Sequence, residues 1–189
     1  MTDPTPGSGT SGTSALRAVA HPLRLRMLSL LTGAELSAAE VARELAITHA
    51  NASYHLRVLL DAGEVVISSE EKIRGGIAKR YRHEWRRGLE AEHERHPASP
   101  DDKDLFIRVT ADEMVRRFAH RAHGPALTTD AELWVEPDTY ARARALVEEA
   151  SALLHAAARP PRTDGTMRMN LTAAIFPMGS PEDPEGTPV

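Results

Sequence analysis

The sequence predicts a mainly α-helical protein of the α+β class, in which a short β-hairpin follows the first group of helices. Apolar residues recur at helical spacing in several segments. The sequence Ser37-Ala-Ala-Glu40 is a capping box, which marks a helix start. The apolar run 65–67 and the later pair Gly75-Gly76 indicate two strands joined by a turn. We therefore expect helices that pack around a small antiparallel sheet.

Length and composition restrict the class of protein. The chain has 189 residues, of which 41% are hydrophobic and 26% charged, and it contains no cysteine. This favours a soluble, cytoplasmic protein of one ordinary domain or two small ones, because no apolar run is long enough to span a membrane and no export signal is present. The missing cysteines exclude disulfides, thiolate metal sites and thiol-based redox sensing.

Charge and composition divide the chain into five parts. Residues 14–87 carry 12 basic and 8 acidic residues, whereas residues 88–189 carry 11 basic and 18 acidic ones. A basic module joined to an acidic one is typical of a nucleic-acid binder with an appended segment. The predicted parts are a disordered tail at 1–13, a DNA-binding domain at 14–88, a polar linker at 89–100, a helical and α/β region at 101–176, and a second disordered tail at 177–189.

Capping signals place the first helices. Pro22 suits the first turn of a helix that ends at Gly33, and the capping box begins a short helix at Ala38. Thr48 then caps a longer helix that Gly63 closes in the left-handed conformation. The two helices on either side of the Ile47-Thr48 connection form a helix-turn-helix candidate.

The longer helix has two different faces. An apolar stripe predicted to pack on the preceding helices consists of Ala52, Leu56, Leu59 and Leu60, while Ala50, Asn51, Tyr54 and Arg57 face the other way. Small and hydrogen-bonding residues on the outer face suit a helix that enters the DNA major groove, although an ordinary surface helix would show the same pattern.

The predicted hairpin favours the DNA-binding interpretation. Residues 72–87 contain seven basic residues and one acid, Glu84. Directly behind a helix-turn-helix, such a hairpin is a wing whose cations can neutralise phosphates. We therefore expect a winged helix-turn-helix domain, although an isolated run of this kind would more often be a solvated face.

The stretch from Leu16 to Arg82 resembles the arsenic-repressor-type (ArsR/SmtB) winged helix-turn-helix regulators. The resemblance rests on three strings with the family's spacing: HPLRLRMLSLL, LSAAEVARELAITHANASYHLRVLLDAGEV and RGGIAKRYR. It covers about 70 of the 189 residues and implies a homodimeric regulator, usually a repressor, that binds an inverted-repeat operator. The chain departs from the family in having no cysteine, and His49, Ala50 and Asn51 stand where many relatives have Gln, Ser and Thr.

The candidate DNA contacts follow from the helix and from the resemblance. Asn51 is the first choice for a base contact, because its amide can pair bidentately with adenine. The helix residues expected near DNA are Thr48, His49, Ala50, Asn51, Ser53, Tyr54, His55 and Arg57, and the wing residues that correspond to those of the family are Arg74, Lys79 and Arg80.

The second half is expected to form a dimerisation helix and a strand–helix–strand extension. A helix within 102–122 carries an apolar stripe of Ile107, Met114, Val115 and Phe118, which we expect to pair with a second copy, together with Leu16 and Val19. Residues 132–135 and 168–176 are predicted strands on either side of a helix at 138–158. This extension either enlarges the dimer interface or binds a small organic effector through Trp134, Tyr140 and Phe176.

Three other functions are weighed against DNA binding. The pairs His93 with His96 and His120 with His123 permit a histidine metal site, but a closed site needs about four ligands, so we predict no metal and no cofactor. No hydrolase or phosphate-loop motif is present, so we expect no enzyme activity. A winged helix that binds only protein would not need seven cations in its wing.

Overall fold

A computed structural model describes residues 15–73, 76–86 and 99–179. Its architecture confirms the predicted winged helix-turn-helix domain of the α+β class, with helices around a small antiparallel sheet. In chain order the elements are α1 (Ala15–Val19), α2 (Pro22–Thr32), β1 (Leu36–Ser37), α3 (Ala38–Leu45), α4 (His49–Asp61), β2 (Val65–Ile73), β3 (Gly76–His83), α5 (Pro100–Phe118) and α6 (Pro137–Ala157).

Side-chain caps define both helices of the helix-turn-helix. The Ser37 hydroxyl accepts a hydrogen bond from the Glu40 amide at 3.3 Å, and the Glu40 carboxylate accepts one from the Ser37 amide at 2.8 Å, so the predicted capping box is confirmed. The Thr48 hydroxyl accepts from the Asn51 amide at 3.2 Å and begins α4. Ala46, at φ 53°, ends α3 in the left-handed conformation. Local contacts therefore fix the turn between α3 and α4.

The sheet contains the predicted hairpin and one strand that the pattern did not indicate. β2 and β3 are antiparallel, with Val65 opposite His83 and Ile73 opposite Gly76. The two-residue strand β1 pairs with β3 on its other side, giving the order β1-β3-β2. The wing is thereby joined to the chain segment that enters α3.

The core lies between α1, α2, α3, α4 and the base of β2. The predicted inner stripe of α4 is confirmed for Ala52, Leu56 and Leu59, which are completely buried, while Leu60 is half-buried and packs against them. The other fully buried large side chains of the domain are Met27, Leu31, Val41 and Val65.

Helix α5 packs on the domain through a face that carries two buried acidic residues and the partly buried Phe106. Its buried residues are Asp102 and Glu113. Asp102 pairs with Arg17 of α1 at 3.1 Å, and Glu113 pairs with Arg26 of α2 at 2.8 Å. The apolar stripe on α5 therefore faces away from the domain, and its exposed members are Ile107, Met114, Val115 and Phe118.

Two predicted strands are wrong. Residues 132–135 and 168–176 form no strand in the structure, and α6 between them is the only regular element of the predicted strand–helix–strand extension. Alternating side chains make a strand only where a neighbouring backbone supplies hydrogen bonds, and neither segment has such a neighbour within the described chain. The start of α6 also differs, since Glu136 rather than Asp138 occupies the N-cap position.

The predicted boundaries are only partly visible. The tail at 1–13 lies outside the described residues, as do most of the linker at 89–100 and most of the tail at 177–189. Ser99 and Pro100, placed in the linker by composition, cap and begin α5. Within the described ranges, no helix is both long and apolar enough to cross a membrane.

Candidate nucleic-acid interface

The outer face of α4 is open to solvent, as a DNA-reading helix requires. Asn51 and Arg57 are exposed, and Tyr54 is 57% exposed. The other candidate positions on this helix are Thr48, His49 and Ala50, all exposed, and Ser53, which is half-buried. Because the inner stripe is locked in the core, these side chains are held on a rigid surface rather than on a loop.

His55 lies on the inner side of α4, unlike the other candidates. Its side chain is 6% exposed, and its ring lies 4.6 Å from the ring of His21 in a tilted arrangement. Burial lowers the pKa of His55, and the nearby His21 and Arg24 lower it further. At neutral pH His55 is therefore an uncharged residue on the buried side of α4.

The wing is less cationic than its sequence indicates, because acidic residues lie beside its cations. Lys79 of β3 is 3.8 Å from the carboxylate of Glu70 on β2. The Arg82 guanidinium is 2.6 Å from the Glu84 carboxylate. Lys72 is exposed on β2, whereas Arg74 lies outside the described residues. The sequence shows how many cations this run contains. It does not show which of them lie beside an acid, because that depends on the fold of the hairpin.

Arg80 holds the wing against the helix-turn-helix. Its guanidinium donates to the Glu35 carbonyl at 2.7 Å and to the Glu40 carboxylate at 3.2 Å. The pKa of Glu40 is lowered, first by the backbone hydrogen bond from Ser37 and also by the charge of Arg80. Arg80 thus links β3 to the capped start of α3, a role that its position in the wing did not suggest.

A polar cleft of about 450 Å³ lies where the base of the wing meets the end of α6. His83, Trp85 and His155 line it, and the His83 Nδ1 atom is 2.9 Å from the Thr32 hydroxyl. Burial, together with the neighbouring His155, lowers the pKa of His83 to about 4, so this ring is neutral at physiological pH. Sequence reasoning missed the cleft because its walls come from three distant segments.

Two of the three aromatic residues considered for effector binding are exposed in the structure. Trp134 is 88% exposed and Phe176 is 63% exposed, while Tyr140 is half-buried on α6. Among the described residues, no group of three histidines or carboxylates is placed to hold a metal ion. His93 and His96 lie outside the described ranges.

Comparison with known proteins supports the helix-turn-helix assignment. A family model for a helix-turn-helix domain matches residues 19–63, which run from the end of α1 to the close of α4. The matched segment includes the capping box, the turn and the whole of α4. The sequence has no significant match among curated proteins.

Two solved structures are similar to parts of the chain. One is a possible transcriptional regulatory protein (fragment 1–100) from Mycobacterium bovis, with 25% identity, 52% of this chain and 88% of that chain covered, and a TM-score of 0.32. The other is a possible transcriptional regulator for arsenical resistance, with 23% identity, 59% of this chain and 99% of that chain covered, and a TM-score of 0.32.

Proposed function

We propose that the chain is a homodimeric, sequence-specific DNA-binding transcriptional regulator. In this proposal it is a repressor of the arsenic-repressor type that binds an inverted-repeat operator. Helix α4 enters the major groove, and the β2–β3 hairpin lies over the adjacent backbone as a wing. The observation that carries the proposal is the division of α4 into a buried apolar stripe and an exposed polar face.

The exposed face of α4 has the chemistry that base recognition needs. The Asn51 amide offers a donor and an acceptor together, which match the N6 and N7 edge of adenine. Arg57, two turns along the helix, offers a planar donor set for a guanine or a phosphate. Both side chains are exposed in the free protein, so they can bind DNA without rearrangement of the core.

The wing supports mainly sequence-independent affinity. Lys72 and Lys79 are exposed on neighbouring strands. The separation of 3.8 Å between Lys79 and Glu70 is a weak, solvent-screened pair, which a DNA phosphate can replace at little cost. Arg80 and Arg82 are engaged within the domain, so we propose that they position the wing rather than neutralise phosphates.

The exposed stripe of α5 supports dimerisation. Met114, Val115 and Phe118 are 45–67% exposed on one side of a helix whose opposite side is fastened to the domain by ion pairs. Such a contiguous apolar surface is typical of a protein–protein interface. Val19, which was also expected at the interface, is buried in the core of its own copy, so α5 is the proposed dimerisation element.

Selection of DNA fragments by the purified protein tests this proposal. We expect enrichment of an inverted repeat with half-site centres about one helical turn apart. Arg57→Glu should abolish the enrichment, because it reverses a charge on the proposed DNA-facing surface. Arg144→Glu reverses one charge in an exposed pair on α6 and should leave the enrichment unchanged. Recovery of no common sequence, or equal loss in both variants, would contradict the proposal.

A further inference from the structure

Two segments that flank α6 leave large apolar side chains in solvent. We call residues 159–179 the C-terminal arm, and residues 121–136 the α5–α6 connection. Met167 of the arm is 84% exposed, and Leu133 of the connection is 73% exposed. The exposed large apolar side chains of the two segments are Leu127, Leu133, Trp134, Val135, Met167, Met169, Leu171, Ile175, Phe176 and Met178. A single copy of the chain thus exposes apolar surface beyond what is usual for a monomer.

The arm has the side-chain pattern of a strand, but none of the described strands pairs with it. Met169, Leu171 and Ile175 occupy alternate positions, so an extended backbone places them on one face. Among the described residues, the last backbone hydrogen bond of this region runs from the Thr166 amide to the Thr163 carbonyl. From residue 167 to residue 179 the main chain therefore has no backbone hydrogen-bond partner within the described part of the chain.

The arm is held at its beginning and near its middle. The Arg159 carbonyl lies against Gly33, where an added Cβ would be only 2.4 Å from the oxygen. Arg162 pairs with Glu44 of α3. The Asn170 side chain accepts a hydrogen bond from Arg117 of α5 at 3.1 Å. The last of these contacts brings the middle of the arm to the end of α5 that carries Phe118.

The apolar stripe of α5 offers about half of the area that a stable dimer interface buries. Four side chains that are about half exposed offer roughly 400 Å², at about 100 Å² each, whereas a stable interface buries roughly 800 Å² per partner. The exposed apolar side chains of the arm, such as Met167 and Met169, add to this area. A second copy also has the same unpaired backbone, and a two-fold axis brings identical strands together in antiparallel orientation.

We propose that residues 167–176 form a β-strand completed by a second copy of the chain, with the two arms paired antiparallel across the dimer axis. This inference rests on the proposed homodimer and adds a main-chain interface to it. Met169, Leu171 and Ile175 then lie on the apolar face that the partner covers. The pairing also explains why strand-like alternation occurs in a segment that has no strand neighbour in its own copy.

Amide hydrogen exchange of the full chain, with sedimentation of the same samples, tests the proposal. In the dimer we expect amides of residues 167–176 to exchange at least tenfold more slowly than they do after dilution to monomer. A dimer whose arm amides exchange at the unprotected rate would overturn the arm pairing and leave the homodimer in place. A monomer at every concentration, with a freely exchanging arm, would overturn both.

Side-chain variants give an independent readout. Leu171→Glu with Ile175→Glu places charges on the covered face and should raise the dimer dissociation constant at least tenfold. Ala174 lies between these positions, on the opposite face of the proposed strand. Ala174→Glu should therefore change the dimer dissociation constant less than threefold. These positions contact solvent in the single copy, so the fold of the domain should persist in both variants. Equal effects of the two variants, or none, would contradict a one-sided strand.

Discussion

The Arg80 guanidinium of β3 donates to the Glu40 carboxylate at 3.2 Å, and the same Glu40 side chain accepts the capping-box hydrogen bond from the Ser37 amide at 2.8 Å. One carboxylate therefore both caps α3 and holds the wing. Because α3 positions α4, the orientation of the wing is coupled to that of the proposed reading helix. This coupling gives Arg80 a different role from Lys79, its neighbour in sequence.

Substitution of Arg80 should mainly affect stability. Arg80→Ala removes the link from β3 to Glu40 and Glu35 and should lower the free energy of unfolding by about 1–2 kcal/mol in urea titration. Lys79→Ala should change stability by less than about 0.5 kcal/mol, since its pair is exposed. In DNA titrations at several salt concentrations, Lys79→Ala should reduce the salt slope by about one. If Arg80→Ala alters the salt slope and leaves stability unchanged, Arg80 is a phosphate contact.

The buried Glu113 should fasten α5 to the domain. Its side chain is 4% exposed, and its carboxylate contacts Arg26 and Arg116. Glu113→Gln should cost about 2–3 kcal/mol of unfolding free energy, because the guanidinium groups lose their counter-charge. Glu148→Gln, in the exposed pair with Arg144 at 2.8 Å, is the matched control and should cost less than about 0.5 kcal/mol.

The loss of stability caused by Glu113→Gln should depend on pH. Burial raises the pKa of Glu113, but hydrogen bonds from Arg116 and Arg26 outweigh burial and lower it below the usual value for glutamate. A carboxyl whose pKa is lowered by folding stabilises the protein above its unfolded-state pKa, and this contribution disappears as the pH falls through the folded-state pKa. The difference between wild type and Glu113→Gln should therefore shrink in acid. A difference that stays constant down to strongly acidic pH would contradict this assignment.

Replacement of His55 should leave DNA binding intact. Its Nδ1 atom is buried and has no hydrogen-bond partner among the described residues. At neutral pH, His55→Leu should leave stability unchanged or raise it by about 1 kcal/mol, since it removes an unsatisfied polar atom. Wild type should lose stability as the pH falls below the ordinary histidine pKa, because folding lowers the pKa of His55. A tenfold loss of DNA affinity in a folded His55→Leu variant would show that His55 contacts DNA.

Local signals predicted the helix-turn-helix and its reading face. These signals depend on residues that are close in sequence, and all of them are present in the structure. They are the capping box at Ser37, the cap at Thr48, and the apolar stripe of Ala52, Leu56 and Leu59. Strand β1 was missed because two residues carry no periodicity, and its formation depends on β3. Glu70 was not recognised as a neutralising acid for a related reason, since the register of β2 against β3 places it opposite Lys79.

Helix α5 shows where amphipathic patterns mislead. The apolar stripe through Val115 and Phe118 predicted the helix correctly, but the charged Glu113 is among the residues that pack inward. Sequence alone could not show this, because a charged residue is buried only where partners such as Arg26 and Arg116 meet it. The strands expected at 132–135 and 168–176 failed for a related reason. Alternation records which face is apolar, not whether a partner strand exists in the same copy.

The most direct test of DNA recognition by α4 compares the affinity of Asn51→Ala with that of wild type, on the selected operator and on random duplex DNA. At one salt concentration, the variant should bind the operator about 5- to 150-fold more weakly, which corresponds to the loss of about 1–3 kcal/mol for one bidentate base contact. Its affinity for random DNA should change less than twofold, because phosphate contacts are retained. An equal loss on both duplexes, or no loss on the operator, would contradict the claim that the exposed face of α4 reads DNA sequence.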